Sequence, residues 1–529
     1  MAGAVPARGD SLNGGPPVAE PIAASASRHE RHFGTDHLMA DLKGRSVRGG
    51  AVTLTSQGIK FGLQLGSTMV LARLLTPADF GLIAMVTAIT GFVAMFKDAG
   101  LSMATVQRKD ITHEQVSTLF WINVGLSALV MLVIAALAPA IAYFYSEPRL
   151  VWITLALAGT MLFGGLTVQH QALLRRQMRF KALATVEVAS MAFGIAVAIA
   201  MAVLDFGYWS LVGMVAGSAL ANAVLVWALC DWRPGAARRG CGVGSMLRFG
   251  GGLTGFNFLN YFTRNADNVI IGFALGSGPL GIYSKAYNLL MLPIRQINGP
   301  VGSVMVPALS RLQDNPARYR RAYLRGISAI AMVGMPIVVC VFVLSDEAVA
   351  ILLGPGWERA ASIFRWLAPA AFFGTLNVAP GWLCVSLGRA GTQLKWAMVS
   401  APLTVVAFLI GVRFGIEGVA AAFSISWCLG LYIFIAMACR GSPVRQRDIG
   451  AAIWPQFLAS VAATAAGLTT LALIADTFSL NIVRATIVLP AIGLAYLGML
   501  WAVPSSRADL QRLLRDGLRS SIAPNMEQQ

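Results

Sequence analysis

Charged residues inside long apolar segments are where this sequence could do chemistry. Lys60, Arg264, Asp267 and Arg295 all fall within such segments. An ionised side chain at bilayer depth is costly, so it marks a functional site by default. Lys60 and Arg295 have no acidic neighbour in sequence, whereas Arg264 and Asp267 stand at i, i+3. That spacing allows either a structural ion pair or a switch in which Asp267 takes up a proton or Na⁺ and releases Arg264. A cavity lined by these groups is net basic, and lysine and arginine hold phosphate through charge-assisted hydrogen bonds. The alternative for Lys60 and Arg295 is snorkelling to an interface.

Polar residues flank these charges at helical spacing. Gln57, Lys60, Gln64, Ser67 and Thr68 form one stripe, and Asn257, Asn260, Arg264, Asp267 and Asn268 form another. At 100° per residue each stripe covers an arc of roughly 120°, one helix face that avoids lipid. Laying the chain from Arg48 over the chain from Arg248 matches the stripes and pairs Gly50 with Gly250, Leu75 with Leu275 and Gly81 with Gly281 without a gap. Pro293, Pro300 and Pro307 recur at intervals of seven in the next segment, near one face, and serve as hinges or as static kinks.

These residues need helices to position them, and composition supplies helices. Of 529 residues 56% are hydrophobic and only 12% charged. That balance excludes an ordinary soluble domain. From Arg48 onward, apolar blocks of transmembrane length recur near 50–71, 80–97, 117–140, 150–171, 182–204, 208–230, 249–275, 286–308, 322–344, 361–385, 394–412, 416–438, 453–475 and 482–503. Their loops alternate in basic charge: 31 Lys and Arg fall on one side and 7, including Arg73, Lys285 and Arg484, on the other. Positive loops face the cytoplasm, so both termini are expected there. The expected fold is all-α and membrane-integral, with about 14 transmembrane helices in two pseudo-symmetric six-helix lobes plus two C-terminal helices.

The expected division is a disordered cytoplasmic tail (1–44), an N-lobe (45–235), a C-lobe (236–440), two further helices (441–505) and a second tail (506–529). The tail histidines His29, His32 and His37 lack an ordered scaffold, and the six cysteines form no C-x-x-C pair, so no metal site or cofactor is expected. The net charge of +17 is spread over short loops, as membrane orientation requires, which argues against a nucleic-acid partner. The longest outer loop, Ser345 to Ala360, is too short for a catalytic domain, and no Walker A loop is present. These features argue against a membrane-bound polysaccharide polymerase or ligase.

Four segments carry a family resemblance: LARLLTPADFGLIAM (Leu71–Met85), DAGLS (Asp98–Ser102), LLRRQMRF (Leu173–Phe180) and LGIYSKAYNLLMLP (Leu280–Pro293). Together they resemble the Wzx-type polysaccharide-export flippases, of the superfamily that includes multidrug and toxin extruders and lipid II flippases. The resemblance spans Leu38 to Arg440. It implies a transporter, not an enzyme, that moves an undecaprenyl-diphosphate-linked oligosaccharide across the bacterial inner membrane by alternating access, for exopolysaccharide, capsule or O-antigen synthesis. It further implies a monomer, coupling to H⁺ or Na⁺ through Asp267, and polymerase and export machinery as partners. Lys60, Gln64, Asn257, Asn260, Arg264 and Arg295 would then contact substrate. Sugars would meet scattered polar positions such as Asn123, Gln169, His170, Asn298 and Asn377. The last two helices resemble the terminal pair of lipid II flippases, which helps form a groove for the lipid tail. A multidrug or organic-cation antiporter of the same fold would instead want acidic cavity residues.

Overall fold

The computed structural model describes residue 33 and residues 42–95, 100–108, 111–238, 261, 265–474, 476–504 and 506–507. Among these there are helices and no strands. In chain order they are α1 (Leu42–Leu74), α2 (Pro77–Ala94), α3 (Leu101–Gln107), α4 (His113–Phe144), α5 (Leu150–Arg176), α6 (Phe180–Val203) and α7 (Trp209–Leu229). There follow α8 (265–275), α9 (Ser277–Ser310), α10 (Pro316–Val343), the short α11 (Ser345–Leu352), α12 (Arg359–Gly374) and α13 (Val378–Ser386). The last four are α14 (Ala390–Gly411), α15 (Gly415–Cys439), α16 (Gln446–Ile474) and α17 (Asn481–Ala502).

Local chemistry sets the helix starts. Thr76 caps α2 in a reciprocal box with Asp79, and Pro77 takes the first-turn position where its missing N–H costs nothing. Thr112 and Gln115 form the same box at α4. α9 begins at Ser277 after Gly276 at φ +86°, so the starts of α2 and α9 fall in the register that the internal repeat predicts.

Counted by length and apolarity alone, the described residues give ten membrane-crossing runs, not the fourteen expected. The physical reasons are specific. The two longest helices, α1 and α9, carry too many polar side chains to qualify. Gly391–Cys439 counts as one run but doubles back through a turn of 3-10 helix (Val412–Phe414) and Gly415 at φ +79°. There Gly411 and Gly418 let the arms touch: a Cβ on Gly418 would lie 2.2 Å from the Gly411 carbonyl oxygen. Block 361–385, expected as one helix, is divided into α12 and α13 at Thr375–Asn377. The seventh block lies largely outside the described residues.

Neighbouring helices pack as antiparallel pairs, α4 on α5, α6 on α7, α14 on α15 and α16 on α17, while α2 packs along α9. A central core gathers Leu71, Phe80, Leu82, Met85, Leu280, Tyr283, Leu290, Trp357, Phe364 and Ile416 from both ends of the chain. Trp357, in the loop after α11, is buried and donates its indole N–H to the Ala72 carbonyl at 2.9 Å, strapping that loop onto the end of α1. The terminal pair docks on α10, where Tyr496 donates to the Met332 carbonyl at 3.1 Å and the Gln456 amide meets the Ser328 hydroxyl at 2.8 Å. Outward-facing Leu129, Leu132, Leu403, Leu429 and Leu494 leave an apolar exterior, and with the apolar runs it makes this a multi-pass membrane protein.

Within the segment expected to be a disordered tail, Phe33 is docked. Its ring meets His113 edge-on at 6.2 Å, and its carbonyl accepts from the buried Arg176 guanidinium at 3.0 and 3.2 Å. Arg176 also donates to the carbonyls of Thr105, Val106 and Arg108.

Candidate functional site

A cavity of about 870 Å³ opens between the halves of the chain, walled by α1, α2, α7, α8, α9, α12 and α15 and by the break at Asn377. Its volume is in the range of sites that hold a sizeable organic ligand. Helix α9 supplies most of the wall. Ser284, Asn288, Arg295 and Asn298 fall within an arc of roughly 80° at 100° per residue, so one helix face delivers all four. Among the described residues the wall has two cations, Lys285 and Arg295, and five asparagines, Asn265, Asn268, Asn288, Asn298 and Asn377. Among the described residues no carboxylate lines it.

The two cations rest on aromatic rings. The Lys285 ammonium lies 4.1 Å above the Phe80 ring, and the Arg295 guanidinium lies 5.9 Å from the Tyr287 ring. A ring offsets part of the cost of desolvating a cation but leaves its charge uncancelled. Among the described residues the buried amide oxygens of Asn268 and Asn298 have no hydrogen-bond partner. Trp427, stacked on Phe423 at 5.1 Å, completes an aromatic patch beside Asn377. The site therefore offers positive charge, amide donors and acceptors, and flat apolar faces, the three contacts that phosphate, sugar hydroxyls and sugar rings need.

The structure brings together only part of the predicted set. Gln64 and Arg295 line the cavity, as do Asn298 and Asn377. Lys60 does not stand unpaired as expected: its ammonium donates to Glu187 Oε2 at 2.6 Å, bridging α1 and α6 outside the cavity lining. The second cavity cation is instead Lys285, which the loop tally assigns to an outer loop and which lies eight residues into α9. The motif around it carried the signal, since Lys285 lies beside Ser284 and Asn288, at the edge of the polar face that continues to Arg295. Asp267 lies behind the wall, fully buried, accepting from the Tyr283 hydroxyl at 2.9 Å and the Asn268 backbone N–H at 2.8 Å. Asn257, Asn260 and Arg264 lie outside the described residues, so the second stripe is represented by Asp267 and Asn268.

Asn123, Gln169 and His170 are elsewhere. They are buried between α4 and α5, where the His170 ring lies tilted against Trp227 at 4.6 Å and Gln169 accepts from Thr105 at 2.8 Å. Pro293, Pro300 and Pro307 all lie within the unbroken α9, with the cavity residues Asn298 and Gly299 between the first two.

Known proteins resemble this chain. Residues 70–362 match a family described as polysaccharide biosynthesis protein. The lipopolysaccharide biosynthesis protein WzxC of Escherichia coli (strain K12) is 25% identical over 432 residues, covering 79% of this chain and 86% of the relative. The teichuronic acid biosynthesis protein TuaB of Bacillus subtilis (strain 168) is 27% identical over 375 residues, covering 68% and 74%. Among solved structures, lipid II flippase MurJ in an inward closed conformation superposes with a TM-score of 0.67 at 12% identity, covering 86% of this chain and 98% of that one. The matched span includes the end of α1, all of α2 and α9 and therefore both cavity cations, and by that match the chain belongs to the polysaccharide biosynthesis protein family.

Proposed function

We propose that the chain is a flippase that carries an undecaprenyl-diphosphate-linked oligosaccharide across the bacterial inner membrane by alternating access. The observation that carries the reading is the wall of the cavity, with two cations, five asparagines and no carboxylate among its described lining residues. Two like charges facing one cavity, with no acidic side chain among the described lining residues, repel each other, and an anionic ligand is what offsets that repulsion. The diphosphate is held by Arg295, with Lys285 one further positive charge along the same wall, and the sugars by the asparagines, Gln64 and the Trp427 face. Where described, the lining offers no acidic group for an organic cation, which disfavours a multidrug antiporter.

In the same reading the two lobes rock about α9, whose three prolines each remove one backbone hydrogen bond and soften it. The polyprenyl tail stays in lipid. An apolar groove of about 450 Å³ between α10, α12 and α16, lined by Val338, Phe342, Phe372 and Leu468, is a suitable path for it. Asp267 couples the cycle by taking up H⁺ or Na⁺, both termini lie in the cytoplasm, and a polysaccharide polymerase and export machinery receive the product.

Deletion of the gene tests the proposal. Loss of surface polysaccharide with accumulation of lipid-linked repeat units facing the cytoplasm is expected, reversed by the intact gene and not by Arg295→Ala. Unaltered polysaccharide after deletion would overturn it.

A further inference from the structure

Lys285 connects the cavity to the contact between α2 and α9. It belongs to α9, yet its ammonium sits over Phe80 of α2. Phe80 precedes Gly81, and Lys285 follows Gly281 by one turn, about 6 Å of helix. At those glycines the two backbones touch: a Cβ on Gly81 would lie 1.8 Å from the Ser277 carbonyl oxygen, and one on Gly281 would lie 1.8 Å from the Pro77 carbonyl oxygen. Phe80 also packs edge-on against Trp357 at 5.5 Å, and Trp357 is tied to the end of α1. The ring under the ammonium is thus held by the same groups that close this end of the molecule.

We propose that Lys285 is the ligand-sensing switch of this closure: a phosphate group in the cavity draws its ammonium off Phe80, and losing that contact releases α2 from α9. The inference rests on the diphosphate reading above and deepens it. An ammonium over a ring is attracted modestly, whereas an ammonium on a phosphate oxygen makes a charge-assisted hydrogen bond, strengthened in a site shielded from water. One ammonium cannot cover the ring and reach a group across the cavity, so the two contacts exclude each other. The ligand then binds the released state better than the closed one, which is what any ligand-driven shift requires. Arg295 is ten residues further along α9, about 15 Å of helix, farther than two phosphoryl groups sharing one oxygen can bridge. Arg295 therefore provides a holding site, and Lys285 reads the arrival of the phosphate at the closed end.

The test places spin labels at Ala78→Cys and Gly278→Cys, near the starts of α2 and α9, in full-length chain in nanodiscs, with the otherwise unsubstituted chain as labelling blank. Pulsed distance measurement is made with and without undecaprenyl diphosphate, whose binding is measured separately. The lipid is expected to populate a longer distance, Lys285→Gln to abolish that response while keeping most of the binding, and Lys285→Arg to restore it. Arg295→Gln is expected to weaken binding roughly tenfold or more. A distance response that persists in Lys285→Gln overturns the switch, as does a loss of binding in Lys285→Gln equal to that in Arg295→Gln; both outcomes leave the diphosphate reading standing. No binding by the unaltered chain overturns both.

Discussion

Gly81 and Gly281, paired across two hundred residues by the internal repeat, meet in the folded chain: a Cβ on Gly281 would lie 3.1 Å from the Gly81 backbone nitrogen. Symmetry-related positions that touch lie near the axis relating the halves, where a single added methyl group acts on both. Gly81→Ala and Gly281→Ala are each expected to cost about 1–3 kcal/mol through overpacking, read as a lower thermal midpoint in detergent, and to impair polysaccharide production. Gly278→Ala, with open space around it, is the control that should leave both unchanged.

Lys60 and Glu187 form a half-buried pair between α1 and α6. Removing either charge is expected to cost ~1.5–3 kcal/mol, as for hydrogen bonds to charged groups. If the pair is structural, the exchange Lys60→Glu with Glu187→Lys recovers most of the thermal stability and the polysaccharide. If Lys60 instead contacts the diphosphate, the exchange recovers stability alone.

Asp267 receives two hydrogen bonds behind the cavity wall, one from Tyr283 and one from the backbone of Asn268. Asp267→Asn is expected to abolish transport while leaving undecaprenyl diphosphate binding intact, because coupling needs an ionisable group and binding does not. Transport retained in that variant would reject the coupling role. Tyr283→Phe should leave transport measurable but change its dependence on pH or Na⁺.

Trp427 presents an aromatic face to the cavity. Trp427→Phe keeps a stacking surface and is expected to sustain polysaccharide production, whereas Trp427→Ala should weaken substrate binding by about 1–2 kcal/mol, roughly five- to thirtyfold. The readout is binding of lipid-linked repeat units compared with undecaprenyl diphosphate alone. Equal weakening for both ligands would show that Trp427 does not meet the sugars.

The membrane fold was legible from local information. Apolar blocks and polar residues at helical spacing are properties of short stretches. The division of one expected helix at Thr375–Asn377 was not read, although Gly374, Asn377 and Pro380 mark it locally, because the apolar residues on both sides run on as one block of membrane length. The site was legible wherever polar residues recur at helical spacing on one helix, as with Arg295 and Asn298.

By itself the sequence determined that this chain crosses a membrane repeatedly, that its halves are related, and that basic residues lie within its helices, since periodicity and composition reside in one segment at a time. Tertiary structure alone decided which charges remain unpaired. Lys60 finds Glu187 across 127 residues of chain, whereas Lys285, whose place in the sequence suggested a loop, turns into the cavity and, among the described residues, meets the ring of Phe80 and no carboxylate. The physical reason is that a charge is cancelled by whatever stands within a few ångströms of it, and helix packing, not sequence distance, sets those neighbours.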